Sequence, residues 1–346
     1  MRKSSHVLML PPLVVLAASS IFAVSSAALE LFGYTGIDDT TARGELTAHG
    51  IAANLASLAF EEHNWQTLDT AEILADYHRN GLRAAILVEG FLFAPEIVPG
   101  SPCDWLDVDG DGTGDPFGYR LHDDWRDRLK SWRLRNRHFL VPEKIAILIL
   151  QTEVNNKCTD PQEILRLART AKRRFPGLST AIGWGRTHVD ADPQAPFARP
   201  APEMIPAEVD ILGMWSYGIY DPADPLHPLN ANADFFDPAF PENPATDYGY
   251  LLSKLQPHQS VVLVFDAHYQ AWDHGVHQTL GWSYDDLAAL ALNYETFAVD
   301  RSEVVGLLGF HWRNTGPSLG LRDLLPASAA LGNAHREIAC RTSSGC

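Results

Sequence analysis

The chain alternates short apolar runs with longer stretches in which apolar residues recur at helical spacing. The short runs are rich in Val, Ile and Leu and have the length of buried strands. Several are apolar on both faces, which is typical of a parallel sheet that is covered by helices outside and filled inside. We therefore predict eight strands, at Leu31–Gly36, Ile51–Ser57, Ala84–Glu89, Ile145–Gln151, Ser179–Gly183, Ile211–Trp215, Val261–Phe265 and Val305–Phe310.

The segments between these strands carry helix signals. Asp69 and Glu72 fall in the first turn of one segment and Gly81 just after its end, where capping chemistry favours these residue types. The predicted helices are Thr67–Asn80, Asp123–Arg137, Asp160–Phe175, Tyr248–Leu255 and Tyr284–Val299.

Strands that alternate with helices indicate an α/β fold, and eight of them predict a (β/α)₈ TIM barrel. An open doubly wound sheet is the alternative, but no Gly-rich nucleotide loop follows the first strand. We expect one barrel domain over residues 29–346, with a C-terminal tail. The Pro-rich stretches Asp190–Pro206 and Tyr220–Pro244 are expected to form loops on the rim that carries the site.

Residues 1–28 have the pattern of a secretory signal peptide. A positively charged start precedes an apolar run from Val7 to Val24, and small residues follow up to Ala28. Two prolines interrupt the run, so its continuous part is shorter than the roughly 20 residues of a membrane span. We expect cleavage near Ala28 and a secreted or periplasmic, monomeric protein with no membrane span.

Charge and cysteine content narrow the classes of partner and compartment. The net charge of −16 would repel phosphate groups, so we expect no nucleic-acid partner. Four cysteines in an exported chain favour disulfides. Three pairings are possible, of which we favour Cys103 with Cys158 and Cys340 with Cys346. A Cys₄ zinc site is the alternative, although the C-x₂-C spacing of such sites is absent.

Acidic and aromatic residues follow several predicted strands, at the end where barrels of this type carry their functional side chains. Glu89 follows the third strand, Glu153 the fourth and Asp266 the seventh. Carboxylates that face one another suit glycosidic cleavage, because one donates a proton while the other stays ionised. Flat rings stack on sugars, and polar side chains bond to their hydroxyl groups. We therefore predict carbohydrate contacts at Glu89, Asn155, Trp184, Trp215, Tyr217, His268, Tyr269, His311 and Trp312.

Each of these residues also has a purely structural interpretation. A glutamate at a strand end is often a loop cap or an ion-pair partner, which applies to Glu89 above all. His268 and His311 could be hydrogen-bonded packing residues, and Trp215 and Trp312 could fill the top of the barrel.

The layout resembles the (β/α)₈-barrel glycoside hydrolases, which carry the acid/base at the end of strand four and the nucleophile at the end of strand seven. The resemblance implies that Glu153, in Gln-Thr-Glu-Val-Asn, donates the proton and that Asp266, in Val-Phe-Asp-Ala-His, is the nucleophile or base. It implies no cofactor for catalysis. This chain has Thr152 where the family usually has Asn, and Asp266 where it usually has Glu. Retention and inversion of configuration both remain open.

Two other functions remain open. A barrel could bind carbohydrate without cleaving it. A metal-dependent hydrolase would require His-x-His after the first strand, where the sequence has Asp38 and Asp39 instead. No G-x-S-x-G motif occurs, so an esterase of that class is disfavoured.

The segment from Asp107 to Asp115 has the outline of a calcium loop. Carboxylates stand at loop positions one, three, five and nine, and Gly112 stands at the sixth, where a tight turn is required. The glutamate of an EF-hand is missing at the twelfth position, which is Gly118. A solvated acidic loop is the alternative to a structural Ca²⁺ site with the ligands Asp107, Asp109, Asp111 and Asp115.

Overall fold

A computed structural model of the chain describes residues 29–37, 39–185, 205–215, 251–270, 276–279, 281–314 and 318–342. Within these residues the strands are β1 Leu31–Tyr34, β2 Leu55–Ala59, β3 Arg83–Leu87, β4 Phe93–Ile97, β5 Cys103–Leu106, β6 Asp115–Leu121, β7 Ile145–Gln151, β8 Thr180–Gly185, β9 Ile211–Trp215, β10 Ser260–Asp266, β11 His268–Gln270, β12 Val304–Phe310 and β13 Ser318–Gly320. The helices are α1 Ala42–Ala48, α2 Thr70–Arg79, α3 Glu89–Leu92, α4 Trp125–Asn136, α5 Pro161–Arg174, α6 Val276–Thr279, α7 Tyr284–Val299, α8 Leu321–Leu324 and α9 Ala329–Thr342.

Eight parallel strands close into a barrel in the order β1-β2-β3-β7-β8-β9-β10-β12, and β12 pairs with β1. The predicted (β/α)₈ barrel is therefore confirmed. Each predicted strand corresponds to one barrel strand, so the fourth and seventh strands of the sequence prediction are β7 and β10. Because all eight run in the same direction, the residues that follow their carboxyl ends lie at one edge of the barrel.

Side-chain alternation separates the inside of the barrel from the layer between strands and helices. On β10, Val262 and Val264 belong to a small inner cluster, whereas Val261, Leu263 and Phe265 belong to the large outer core. The other buried members of the inner cluster are Leu31, Leu55, Ala85, Ile147, Ile149, Ala181, Ile211, Trp215 and Leu308. The alternation sets which residues at the strand ends face the barrel opening.

Local signals start two of the outer helices: α5 begins at the predicted Asp-Pro, whereas α2 begins at Thr70 rather than at the predicted Thr67. The Asp69 side chain accepts a hydrogen bond from the Glu72 backbone at the start of α2, and the Asp160 side chain accepts one from the Gln162 backbone at the start of α5. Each satisfies a backbone donor that lacks a partner within its helix. These caps fix where the helices that cover β3 and β8 begin.

A three-stranded antiparallel sheet, β4-β6-β5, is inserted between β3 and α4. It packs on the loop that follows β7: the Tyr119 backbone donates to the Lys157 carbonyl at 2.9 Å, and the Arg120 guanidinium donates to the Cys158 carbonyl at 3.3 Å. The predicted Cys103–Cys158 disulfide is present and joins β5 to the same loop. Cys340 is disulfide-bonded as well, while Cys346 lies outside the described residues.

The sequence prediction differs from the structure at several elements. The second strand begins at Leu55 rather than Ile51 and ends at Ala59. Helices α1 and α9 and the inserted sheet were not predicted. The signal-peptide residues 1–28, the predicted rim loops apart from 205 and 206, and residues 248–250 of the predicted helix Tyr248–Leu255 lie outside the described residues. Among the helices that are described, none combines the length and apolar character that a membrane crossing requires.

Candidate functional site

Glu153 lies at the barrel opening, directly beyond β7. It adopts a φ of 50°, in the left-handed region that non-glycine residues seldom occupy. Its carboxylate lies against Gly185. By the alternation along β8, position 185 faces the inside of the barrel, as Ala181 does, and a Cβ there would be 2.8 Å from the Glu153 Cγ and Oε1 atoms. The absence of a side chain at Gly185 therefore provides the space that the Glu153 carboxylate occupies.

Glu89 is tied to the same loop by three hydrogen bonds. The Thr152 backbone donates to its Oε2 at 2.6 Å, and the Thr152 hydroxyl donates to its Oε1 at 2.7 Å. The Lys157 ammonium donates to Oε1 at 3.0 Å and to the Thr152 hydroxyl at 2.9 Å. Glu89 thus joins the end of β3 to the end of β7, which is the ion-pair role that the sequence left open for it.

Glu61 and Tyr119 complete this acidic group. By the alternation along β2, position 61 points to the inside of the barrel, as Leu55 does. The Glu61 carboxylate lies against Gly90, where an added Cβ would collide with the Glu61 Oε2 atom. The Tyr119 ring lies 5.4 Å from the Lys157 ammonium. We use the name "acidic cluster" for Glu61, Glu89, Glu153, Lys157 and Tyr119.

Burial and neighbouring charge raise the pKa of two carboxyl groups in the acidic cluster. Burial raises the pKa of Glu153 above its ordinary value, and the Glu89 charge adds to the effect, while Lys157 opposes it. Burial likewise raises the pKa of Glu61, and Glu89 adds to that shift. Burial alone would lower the pKa of Lys157, but the charges of Glu89 and Glu153 raise it. A carboxyl group whose pKa is raised in this way can hold a proton for donation.

Asp266 ends β10 on the opposite side of the barrel, separated from β7 by β8 and β9. It has the inward parity of Val262 and Val264, and its side chain is fully buried. Two histidines flank it: His268 Nδ1 lies 3.5 Å from Oδ1, and His277 Nε2 lies 3.5 Å from Oδ2. Glu153 and Asp266 therefore both stand at the carboxyl-terminal edge of the barrel, at the ends of parallel strands.

Backbone contacts indicate which ring nitrogen carries the proton in the neutral form of each histidine. The Gln270 backbone N–H donates to His277 Nδ1 at 2.9 Å, so the proton of neutral His277 is on Nε2 and faces Asp266. His268 Nδ1 lies 2.7 Å from the Phe310 carbonyl, which only accepts, so this nitrogen carries the proton. The ring nitrogens that face Asp266 are therefore donors, whereas a metal ligand must present a lone pair.

Most of the predicted aromatic contacts are buried. The Trp215 ring belongs to the inner cluster and lies over Gly213 and Gly183, where a Cβ would collide with it. Trp312 is fully buried, and its indole N–H donates to Glu45 at 2.7 Å. The Trp215 position matches the alternative in which this ring fills the top of the barrel, whereas Trp312 lies in the outer core between the strands and the helices.

The other predicted contact residues have structural partners as well. Trp184 is buried in the outer core, and the Tyr269 hydroxyl donates to the Trp282 carbonyl at 3.0 Å. Asn155 is buried, and its side-chain oxygen accepts from the Gly185 backbone at 2.9 Å, which joins the ends of β7 and β8. Tyr217 lies outside the described residues.

His311 is the one predicted contact residue with a strongly shifted pKa among those described. Burial lowers this pKa to about 3, and the neighbouring His268 contributes to the effect. His311 is therefore neutral at physiological pH and can exchange hydrogen bonds without carrying charge.

The comparisons with known proteins concern the barrel as a whole. No protein-family profile and no curated protein matches the chain in sequence. The barrel is similar to those of glycoside hydrolases.

A GH113 β-1,4-mannanase superposes with a TM-score of 0.52 at 8% identity, covering 90% of this chain and 98% of the mannanase. Xylanase 10B from Thermotoga maritima gives a TM-score of 0.50 at 9% identity and coverages of 90% and 95%. The catalytic domain of the major endoglucanase from Xanthomonas campestris pv. campestris gives 0.50 at 13% identity and coverages of 90% and 94%. The predicted resemblance to glycoside hydrolase barrels is thus confirmed as a likeness of fold.

Sequence reasoning missed Glu61, Tyr119, Lys157 and His277. Glu61 was missed because the second strand was placed too early, which put residue 61 well beyond the predicted strand end. With the correct end of β2 at Ala59, the alternation of side chains would have placed Glu61 on the inner side of the barrel, next to the strand end. Lys157 stands in the loop beyond β7 and His277 in the four-residue helix α6, and no periodic signal marks them.

The acidic loop brings together three of its four predicted ligands. Oxygens of Asp107, Asp109 and Asp115 lie within 4.8 Å of one another. Backbone N–H groups of the loop hold two of these carboxylates: Gly112 donates to Asp107 at 2.8 Å, and Val108 donates to Asp115 at 2.8 Å. Asp111, the fourth predicted ligand, is outside this group and instead accepts from the Thr113 backbone and hydroxyl.

Proposed function

We propose that the protein hydrolyses a glycosidic bond in a poly- or oligosaccharide, with Glu153 as the proton donor. The observation that carries the proposal is the placement of Glu153: its carboxyl group faces the barrel opening beside Gly185, and burial raises its pKa. Asp266 provides the second carboxylate at the same edge. A proton-holding carboxyl group and a second carboxylate are the minimum set for this chemistry.

In the proposed reaction, Glu153 transfers its proton to the glycosidic oxygen as the bond from that oxygen to the anomeric carbon breaks. Asp266 either forms an ester bond to the anomeric carbon, which water then hydrolyses, or removes a proton from water as the water attacks. Each route consumes one water molecule. In the first, Glu153 regains its proton from the water that hydrolyses the ester; in the second, Asp266 gains a proton and Glu153 loses one, and exchange with solvent restores both groups. The first route retains the anomeric configuration and the second inverts it.

The similar solved structures support carbohydrate as the substrate class, because they are named as a mannanase, a xylanase and an endoglucanase. The test is to incubate the protein with mannan, xylan, a soluble cellulose and further polysaccharides and to measure new reducing ends. Hydrolysis of one or more of them is the expected result. The anomeric form of the first product, followed by NMR, distinguishes retention from inversion.

A barrel that binds carbohydrate without cleaving it is the second candidate. The observation that favours it is the complete burial of the Asp266 side chain. It predicts polysaccharide binding with no new reducing ends, and an affinity that survives Glu153→Gln. The metal-dependent alternative is disfavoured at Asp266, because His277 presents its Nε2–H to the carboxylate and the nearer nitrogen of His268 is protonated towards the Phe310 carbonyl.

Gly185→Ala is expected to lower the rate of hydrolysis by about 10²-fold, because the new methyl group would displace the Glu153 carboxylate from its place. We expect the melting temperature to change much less than the rate. Gly44→Ala is the matched control, since a Cβ at position 44 meets no atom within 4 Å. Equal rates for the two variants would contradict the proposed position of Glu153.

We propose that the acidic loop binds Ca²⁺ through Asp107, Asp109 and Asp115. Ca²⁺ takes oxygen ligands at about 2.3–2.6 Å, so ligands on opposite sides of the ion are at most about 5 Å apart. The spread of 4.8 Å in this loop fits that limit. The ion would stiffen the inserted sheet, which packs on the loop that holds Glu153.

Calcium is therefore expected to raise the melting temperature relative to the protein in EDTA. At a free Ca²⁺ concentration of a hundred times Kd, binding adds about 2.7 kcal/mol to the free energy of unfolding. Asp109→Asn should remove most of this shift, and Asp104→Asn, at an exposed position outside the group, should keep it. The measurement is thermal unfolding with Ca²⁺, with Mg²⁺ and with EDTA. An identical melting temperature in all three would contradict the site.

Export and the monomeric state remain predictions from the sequence. The residues on which export depends, 1–28, are outside the described part of the chain.

A further inference from the structure

Lys157 occupies the centre of the acidic cluster. Its ammonium group donates to Glu89 at 3.0 Å and to the Thr152 hydroxyl at 2.9 Å, and it lies 5.4 Å from the Tyr119 ring centroid. Its side chain is only 14% exposed. A lysine at such a position changes the electrostatics of its neighbours strongly, because little water screens it.

Glu89 and Glu153 have unlike surroundings beside this ammonium group. Glu89 accepts three hydrogen bonds, two from Thr152 and one from Lys157. The Glu153 side chain accepts a long hydrogen bond from the Asn156 amide, at 3.4 Å. Two neighbouring carboxyl groups in unlike surroundings hold their protons differently.

We propose that Lys157 and Glu89 form a positioning pair beside Glu153, in which the ion pair and its hydrogen bonds to Thr152 set how Glu153 holds and delivers its proton. The inference rests on the proposed hydrolysis and deepens it. Lys157 and Glu89 contact neither the reacting atoms nor the substrate in this scheme, and they act through the charge state and the position of Glu153.

The two members of the pair act on Glu153 with opposite signs. The Glu89 charge raises the pKa of Glu153, and the Lys157 charge lowers it. The acidic cluster also contains the titratable groups Glu61 and Tyr119, and His63 lies near Glu61. The variants of Lys157 and Glu89 leave these three residues in place. Because a general acid must be protonated, the rate falls as the pH rises through the pKa of Glu153.

Lys157→Gln should therefore move the high-pH fall of kcat/KM to higher pH, and Glu89→Gln should move it to lower pH. We expect a displacement of about one pH unit in each direction. A residue that merely supports the fold would lower the rate without moving the two profiles apart.

The experiment measures the pH profiles of kcat and kcat/KM for the wild type and both variants, on a polysaccharide that the wild type hydrolyses. Lys157→Arg keeps the charge and should keep the wild-type profile. Lys144→Gln is the matched control, because Lys144 lies immediately before β7, at the opposite end of the barrel. Its profile should equal that of the wild type.

A second readout does not depend on activity. In protein labelled with ¹³C at the glutamate carboxyl groups, an NMR titration measures the pKa of Glu153 directly, and Glu153→Gln assigns the signal. Opposite displacements in Lys157→Gln and Glu89→Gln support the pair, and unchanged or parallel displacements overturn it. If Lys157→Gln does not fold, the pKa of Glu153 in Glu89→Gln decides: a lowered pKa supports the pair, and an unchanged or raised pKa overturns it.

If the wild type cleaves no polysaccharide, the proposed function fails. The titration then still tests whether the pair controls Glu153.

Discussion

Glu153→Gln is expected to lower kcat on a natural polysaccharide by about 10²–10⁴-fold, because the amide cannot protonate the departing oxygen. The effect should depend on the leaving group. An aryl glycoside with a strongly acidic phenol needs no proton on departure, so the variant should cleave it much faster than it cleaves the polysaccharide. The measurement is the ratio of the two rates for variant and wild type.

Glu143→Gln is the control for this substitution, because Glu143 is exposed at the other end of β7. It should leave both rates unchanged. If Glu153→Gln hydrolyses the polysaccharide as fast as the wild type does, Glu153 is not the proton donor. A loss that is equal on both substrates would indicate a role in binding or folding instead.

Asp266→Asn is expected to lower the rate by about 10³-fold or more on every substrate, whatever its leaving group, because the attacking or base group itself is lost. The side chains have nearly the same shape, so the buried position should still be filled. His277 would still present its Nε2–H to the side-chain oxygen at position 266. The measurement is kcat on the polysaccharide and on the aryl glycoside.

Asp127→Asn, at an exposed position on α4, is the matched control and should keep the wild-type rates. A variant Asp266→Asn with unchanged activity would remove Asp266 from the reaction and leave Glu153 without its counterpart. Melting temperatures of both variants show whether a loss of rate comes from unfolding.

The pattern of apolar residues determined the barrel. All eight barrel strands were predicted, because strands that are buried on both faces form continuous apolar runs. Helix starts at Asp69 and Asp160 were equally local, since a cap depends on three or four consecutive residues. The candidates Glu153 and Asp266 followed from the strand ends and needed no long-range information.

The second strand shows where local pattern becomes insufficient. Ile51 and Ala53 are buried although they precede the strand, so the apolar run continues across the true boundary at Leu55. The Asn54 side chain instead bonds the Phe32 backbone at 2.9 Å, a contact between residues 22 positions apart. That shift hid Glu61 from the sequence prediction.

The chain's sequence by itself determined the fold and the strand ends at which Glu89, Glu153 and Asp266 stand, and the resemblance it carries singled out the two carboxyl groups proposed for the reaction. The tertiary structure alone decided their surroundings: Lys157 between Glu89 and Thr152, and the histidines beside Asp266. The physical reason is range. Periodicity and caps depend on neighbours along the chain, whereas burial, tautomer and pKa depend on groups that only folding brings together.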